Sequence, residues 1–600
     1  MKNLKIFVYV NLALACLFSL TCFSFNLDIS LIALPLSAAF TVLIFLFVYK
    51  KFLKANSIKH LNAVRRFFQY EPFVYISAFV LQRSGKNGMS YALDLVAAVL
   101  WVSVTITSFV ILYKLSEKRV YALSSAWEKE HKANPPVVYH GIKRVGIEIL
   151  EWLDALIQAI FTITLLNIFL FQLYEIPSES MVPTFLIKDR VVVFKTLAGP
   201  KFPLSEVGLP YAQKYDRGDI VVFRNPHYKD DRKSEVKSFL SQFVYMCTLT
   251  LVNINKDDNG ELKADPLVKR VTGLPGEQLM MMDGTLYSRT KDSAEFKAVE
   301  KDSSWAAWNL NTLPASTRAK IQTIPLSSAQ AENTLEIEEE RRSLDLQAAA
   351  IECASLAKEF SRYAKNGSSN IKDLTAFMSD SDREVYSLFS NLEKNTAALL
   401  NASNGSEWVE HFLTDWYKNL GGISNLSSYA EDGSLTGQNL YGGDLYTDSL
   451  FRLNVMVKLS YGRILVQNAK LLYGGADAVT VSKDSVRAEN YEKAQKLVDY
   501  LWHMDLRNMP IFPANAGDGS ASYIPENSYF MMGDNRYNSL DMRHSYDHWL
   551  TSLDENDAYS VEYYSDLAPQ YVSRNKILGK ANFRFWPLTR IGKPGVGVRK

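Results

Sequence analysis

The stretch Ile176-Pro177-Ser178-Glu179-Ser180-Met181-Val182-Pro183-Thr184 sets two serines two residues apart, directly after the apolar run LIQAIFTITLLNIFLFQLY at 156–174. A serine hydroxyl attacks a carbonyl efficiently only with a base within hydrogen-bond reach. Histidine, the usual base, is scarce: the chain has 8, and neither His544 nor His548 is paired with a serine by any spacing. A lysine can serve if it is neutral, which requires its ordinary pKa of about 10.4 to fall by several units, as burial can achieve. Lys269 lies in Leu267-Val268-Lys269-Arg270-Val271, the pattern of an apolar strand. Alternation puts Lys269 and Val271 on one face and Val268 and Arg270 on the other, so one cation can point inward while the other stays solvated or paired. Taken singly, each residue also fits a plainer role. Ser180 would suit a helix-exit turn, Ser178 a turn after Pro177, and Lys269 an exposed strand.

Four blocks follow one another along the chain: the serine stretch, RGDIVVFRNP (217–226), VKRVTGLPGE (268–277) and YFMMGDNRYNSLDMRHS (529–545). DRVVVFK (189–195), DIVVF and the run into GDN are short, Val- and Phe-rich and bounded by turn residues, as strands are, and LPGE and GDN are turn signals. A compact, mainly β domain is expected. In this order the blocks resemble the boxes of bacterial type I signal peptidases, the leader peptidase family of membrane-anchored serine proteases that remove signal peptides from exported proteins. The resemblance covers roughly 174–226, 266–282, 507–545 and 572–592, with Glu179 where Gly is common and Met542 where Ser is usual.

The resemblance implies a catalytic pair, Ser180 as nucleophile and Lys269 as general base. It implies that Ser178 donates to the oxyanion together with the Ser180 backbone N–H, that Ser539 orients the lysine amine, that Asp541 and Arg543 form a supporting ion pair, and that Asp534 holds the GDN turn. No metal, nucleotide or other cofactor is required. Exported preproteins and the lipid bilayer are the implied partners, with the secretion machinery as a candidate third. A lysine rather than a histidine at the base position implies a bacterial cytoplasmic (inner) membrane, with the catalytic domain on its extracytoplasmic side. Self-cleaving repressors share a Ser/Lys β fold, but the apolar spans and the lack of a basic DNA-reading helix count against them. A non-catalytic membrane assembly or scaffold protein that keeps a signal-peptidase-like fold is the other alternative, which only activity separates.

These blocks need elements to hold them. Six hundred residues suggest several domains. The first 175 residues are apolar with basic connections, and the rest has the mixed composition of a water-soluble globule. A net charge of +2 gives no reason to expect a nucleic-acid partner. Cys16, Cys22, Cys247 and Cys353 have neither metal-ligand spacing nor the pattern of a disulfide framework.

Stretches at about 6–25, 30–49, 92–113 and 152–173 are long and apolar enough to cross a bilayer. The first also fits a signal peptide, with Lys2 and Lys5 ahead of an apolar core, although no small-residue cleavage site follows. Two connections are basic: 50–66, with Lys50, Lys51, Lys54, Lys59, Arg65 and Arg66, and 114–150, with Lys114, Lys118, Arg119, Lys129, Lys132, Lys143 and Arg144. The positive-inside rule places both in the cytoplasm. A single crossing at 92–113 cannot join two loops on one side. The segment 67–82 is the only candidate for an extra crossing, although Glu71 and Pro72 make it a poor helix by itself; without it, either 92–113 does not span or one basic loop departs from the rule. The expected fold is thus a multi-pass α-helical anchor (1–174, four to five crossings), a mainly β Ser/Lys protease domain (175–289 and 507–600) and a mostly helical insertion (290–506). Within the insertion, helical composition is found at 327–365, 379–401, 407–419, 446–471 and 485–506. The apolar run 239–254 would suit either a membrane-dipping segment or a buried part of the soluble domain.

Overall fold

The computed structural model describes residues 2–23, 30–48, 58–85, 89–116, 118–120, 140–228, 231–248, 252, 254–256, 260–365, 383–429 and 434–594. Among the described residues the first named helices are α1 (Lys2–Thr21), α2 (Ser30–Phe47), α3 (Ile58–Arg83), α4 (Tyr91–Lys114) and α5 (Ile142–Phe169). Leu4–Thr21, Tyr91–Lys114 and Ile142–Phe169 are long and apolar enough to cross a membrane, and Ile32–Phe47 is apolar but shorter. The doubtful stretch 67–82 is part of α3, which runs unbroken for 26 residues. Its two awkward residues are accommodated by neighbours. Glu71 is fully buried and accepts hydrogen bonds from Asn11 of α1 (2.9 Å) and Ser108 of α4 (2.5 Å). The Pro72 carbonyl accepts the Trp101 indole N–H at 2.9 Å. A composition judged residue by residue underrates this helix because Glu71 Oε2 and the Pro72 carbonyl find their donors on neighbouring helices.

Successive helices run in opposite directions. Phe18 of α1, Tyr75 and Phe79 of α3, Ala97 and Trp101 of α4 and Phe169 of α5 meet in one apolar cluster, which Phe202 and Val207 of the β part join. The other ends gather in a second cluster, with Leu4, Val8, Ile44, Leu61, Val64, Ile111 and Leu115. The chain leaves α2 and α4 into its basic connections at this second end. Of the cations counted there, Lys50, Lys51, Lys54, Lys129 and Lys132 lie outside the described residues. At the first end Asp94 joins bundle to β part, accepting from Arg83 (2.9 Å) and from Ser205 (2.5 Å).

The β part has thirteen strands: β1 (Phe171–Glu175), β2 (Arg190–Phe194), β3 (Ile220–Phe223), β4 (Leu267–Gly273), β5 (Glu277–Met282), β6 (Thr285–Thr290), β7 (Ser293–Ala298), β8 (Met509–Phe512), β9 (Ser528–Met532), β10 (His544–Ser552), β11 (Glu562–Leu567), β12 (Val572–Ser573) and β13 (Ile577–Trp586). Seven form an antiparallel sheet in the order β1-β2-β13-β3-β4-β9-β12, four form a second sheet ordered β7-β6-β5-β8, and β10 and β11 form a separate hairpin. Their shared core includes Val221, Phe223, Val271, Leu279, Met281, Phe530, Met531 and Met542. β3 and β5 are buried along their whole length, which is why IVVF and QLMMM read as apolar runs rather than alternations.

Between β3 and β4 lies α6 (Arg232–Cys247), which holds the first half of the apolar run 239–254. Its Phe243 ring is 6.4 Å from Phe161 of α5. Residues 249–251 and 253 of that run lie outside the described residues. Between β7 and β8 the main helices are α7 (Ser328–Arg342), α8 (Leu346–Lys365), α9 (Gly405–Lys418), α10 (Leu445–Tyr473) and α11 (Ser485–His503). They share one large core, and Leu553, Val561 and Tyr563 of the β10–β11 hairpin join it. Residues 299–326 stay apart from that core: Leu310, Leu313 and Ile321 pack on Val182 and Leu186, in the turn that carries Ser180.

Candidate active site

Ser180 lies in the tight loop between β1 and β2. The Ile176 N–H donates to the Asp189 carbonyl (2.8 Å) and the Lys188 N–H to the Ile176 carbonyl (2.9 Å), closing the loop on itself. Met181, Val182 and Phe185 are buried beneath it, so the loop is anchored by the apolar residues that flank the serine. From β9 and the turn after it, the Asn535 N–H donates to the Ser180 carbonyl (3.1 Å) and the Asn535 side chain to the Glu179 carbonyl (3.1 Å).

Lys269 projects from β4, where it pairs with Val221 of β3. Its Nζ is 2.6 Å from Ser180 Oγ, although 89 residues separate the two in sequence. The lysine is 3 % exposed. Burial pushes its pKa down from 10.5 to about 8, an effect that the charge of Asp541 opposes, that of Arg543 assists and that of Asp534 opposes. A neutral amine in this place accepts the serine proton; a charged one donates to the serine oxygen.

The remaining residues named from the sequence surround this pair. Ser178 is exposed, with its Oγ 3.4 Å from Ser180 Oγ. Asp541 and Arg543 are fully buried and joined by two contacts, Nε to Oδ1 at 2.8 Å and a terminal nitrogen to Oδ2 at 3.0 Å. Burial alone would raise the Asp541 pKa, but the Arg543 guanidinium overrides it and, with His544 and Lys269, holds the carboxyl well below the usual carboxylate range. Ser539 donates to Asp541 at 2.9 Å. Gly533, whose N–H also donates to Asp541 (2.8 Å), fills a place no side chain could enter. A Cβ there would lie 2.1 Å from Ser539 Oγ and 2.5 Å from the Ser180 carbonyl oxygen.

Asp534 accepts two hydrogen bonds from Arg270, at 2.7 and 2.6 Å, and a third from Thr184. Arg270 therefore does not emerge into solvent on the far face of β4; it is buried and paired, and it lies 4.8 Å from the Trp305 ring centre. Met542, where Ser is usual, is fully buried in the β core beside Met531, so the departure falls on a position that faces apolar neighbours. His544 turns away and pairs with Asp566 at 2.9 Å. Among the described residues no group of three His, Cys, Asp or Glu side chains converges as a metal would require.

Some contacts of the site were not foreseen from the sequence. The Glu179 carboxylate accepts the backbone N–H groups of Gln322 and of Thr323 (2.9 Å). The Ala307 N–H donates to the Asp534 carbonyl at 2.7 Å. The Glu in place of Gly at 179 was the one available signal; nothing in 305–323 marks it as a neighbour of the serine.

The chain matches the family model of signal peptidase, peptidase S26, over residues 149–339 and 468–586, slightly more than half its length. It is similar to Signal peptidase I of Bacillus licheniformis, with 28% identity over 145 residues, which is 24% of this chain and 53% of the relative. It is also similar to Signal peptidase I of Pseudomonas aeruginosa (27% over 178 residues, 29% and 58%) and to that of Buchnera aphidicola from Schizaphis graminum (36% over 74 residues, 12% and 24%). The matched part thus spans between a quarter and somewhat over half of these relatives. Both segments of the family match contain elements of the site: the first holds the serine loop and β4, the second β9 and the turn through Arg543. On that match the chain belongs to the signal peptidase family, peptidase S26.

Proposed function

We propose that the protein is a membrane-bound serine endopeptidase that removes N-terminal signal peptides from exported preproteins with a Ser180/Lys269 dyad. The observation that carries this reading is the 2.6 Å separation of a buried amine and a half-buried hydroxyl. In the proposed reaction, neutral Lys269 takes the Ser180 proton as Oγ attacks the scissile carbonyl. The Ser180 N–H and the Ser178 hydroxyl stabilise the oxyanion, an effect for which one donor typically accounts for about 2.7–4 kcal/mol of barrier. The resulting ammonium returns its proton to the leaving amine. Lys269, neutral again, then activates a water that releases the acylated serine.

The reading divides the chain into an anchor (1–174), a catalytic β domain (175–289 with 507–600) and a mostly helical insertion (290–506). The alternating directions of α1 to α5 support five crossings, with the N-terminus inside and the β part outside. So do Lys59, Arg65 and Arg66 in the first turns of α3 and Lys114 at the end of α4, on the side remote from the β sheets. The test is cleavage of a purified preprotein in detergent micelles. Ser180→Ala and Lys269→Ala each lose at least about 10³-fold in kcat while the protein remains folded and in the membrane fraction. Near-normal turnover by Lys269→Ala would overturn the dyad. A wild-type chain that cleaves no preprotein would favour the scaffold alternative.

A further inference from the structure

The first thirty residues after β7 grip the serine loop from two sides. On one side, Ala307 bridges in parallel to Asn535: its N–H donates to the Asp534 carbonyl (2.7 Å), and its carbonyl accepts the Arg536 N–H (3.2 Å). Asn535 in turn donates from its backbone to Ser180 and from its side chain to Glu179. On the other side, the segment turns back under Val182 and Leu186 through Leu310, Leu313 and Ile321. Its next two residues present their N–H groups to the Glu179 carboxylate. Glu179 is 6 % exposed. A buried carboxylate is costly unless its oxygens are hydrogen-bonded, and here each oxygen accepts one amide, Gln322 on Oε1 and Thr323 on Oε2. Glycine at this position could not make the contact.

We propose that Glu179 is a positioning residue through which the insertion holds the nucleophile: its clasp on the Gln322 and Thr323 amides fixes the loop so that Ser180 Oγ stays within reach of Lys269. The effect on turnover rests on the assignment of Ser180 as nucleophile; the clasp itself does not. Glu179 touches neither the lysine nor the reacting atoms, so it acts on geometry alone. The insertion is then part of the active-site wall, and the helices beyond residue 327 are tied to the serine through this short segment.

The test uses the full chain in detergent micelles, as wild type, Ser180→Ala, Glu179→Ala and Glu179→Gln. Amide hydrogen exchange reads the clasp without catalysis. Glu179→Ala is expected to speed exchange in both 176–187 and 318–326 while α7 to α11 stay protected. Glu179→Gln keeps one acceptor and turns an NH₂ toward the second amide, so it falls between. With a preprotein, Glu179→Ala is expected to lower kcat about 10- to 100-fold, the scale of a misplaced reacting group, with KM within about twofold of wild type. The basic-going pH limb of turnover stays where it was. Unchanged exchange in either segment overturns the clasp, and wild-type kcat despite faster exchange overturns the positioning role. A shifted pH limb would overturn the purely geometric role. Should Glu179→Ala unfold the helical core, the Gln variant decides on the same two readouts. If the wild type cleaves nothing while Glu179→Ala still loosens both segments, the proteolytic reading fails and the clasp survives as structure only. If wild type cleaves, Ser180→Ala does not, and Glu179→Ala matches wild type in both readouts, the clasp alone is lost.

Discussion

Asp541→Asn provides a sharp test of how the proposed base, Lys269, is kept neutral. In the wild type, a Lys269 pKa of about 8 leaves the amine neutral in about a tenth of molecules at pH 7, half at pH 8 and nine-tenths at pH 9. If the neutral amine is the base, kcat/KM rises about tenfold from pH 7 to pH 9 and levels off above it. Of the charges near the amine, Asp541 and Asp534 favour the ammonium and Arg543 disfavours it; Asp541 acts most strongly. Replacing Asp541 by Asn removes the strongest of them and leaves Arg543, so the limb moves to lower pH. Gly533 and Ser539 both donate to Oδ2, so an Asn oxygen in that place keeps both bonds, yet the buried Arg543 charge is left uncompensated, which typically costs about 3–5 kcal/mol of stability. The plateau is therefore lower even as its midpoint falls. The assay is initial-rate cleavage of a preprotein at substrate well below KM across pH 6 to 10. A profile flat between pH 6.5 and 9, a limb near the ordinary 10.5, or a limb that moves upward in Asp541→Asn would each refute the reasoning.

Two further outcomes follow from the same structure. Because the folded pKa of Lys269, about 8, lies below the unfolded value, the unfolded chain binds more protons between about 8 and 10.5, and stability rises with pH across that window. At pH 7 the lysine thus costs roughly 3 kcal/mol, less about 1 kcal/mol for its hydrogen bond to Ser180. Lys269→Met should then raise the chemical-denaturation midpoint at pH 7 and lose that advantage above pH 10.5, while abolishing cleavage; a lower midpoint at pH 7 would contradict it. For the anchor, a reporter fused after residue 130 should be active only in the cytoplasm, whereas an extracytoplasmic signal there would overturn the five-crossing arrangement.

The parts legible in the sequence were those with local signatures. Val- and Phe-rich runs between turn residues marked β2, β3 and β9, and helical spacing marked much of 327–506. Ser180 and Lys269 could be paired because each lies in a recognisable block, although 89 residues intervene. What was not legible depends on partners distant in sequence. Glu71 and Pro72 look hostile to a helix until Asn11, Ser108 and Trp101 supply their hydrogen bonds. Strand alternation placed Arg270 opposite Lys269 but could not tell a solvated cation from one closed in by Asp534 and Trp305. Ser539 is expected to orient the amine on the strength of its block, which gives no sign that its hydroxyl donates to Asp541. The contacts of Gln322, Thr323 and Ala307 with the serine loop are made by backbone groups, which carry no residue-type signal at all.

The arrangement of charge around the amine gives the site its physical logic. Lys269, Arg270 and Arg543 are buried in the same region as Asp534 and Asp541. Had a carboxylate approached the lysine directly, the amine would be held as an ammonium and could not accept a proton. Both acids are instead engaged by arginines: Asp534 by Arg270 through two contacts and Asp541 by Arg543 through two contacts. Arginine keeps its charge at any accessible pH, so each pair stays internally neutral whatever happens at the lysine. The amine is then left with a hydroxyl as its hydrogen-bond partner, in a niche where desolvation is the largest influence on its proton. The residual pull of Asp541 and Asp534, partly cancelled by Arg543, keeps the pKa near 8 rather than letting burial drive it lower, which would suit the proposed role of a base that also hands its proton on to a leaving amine.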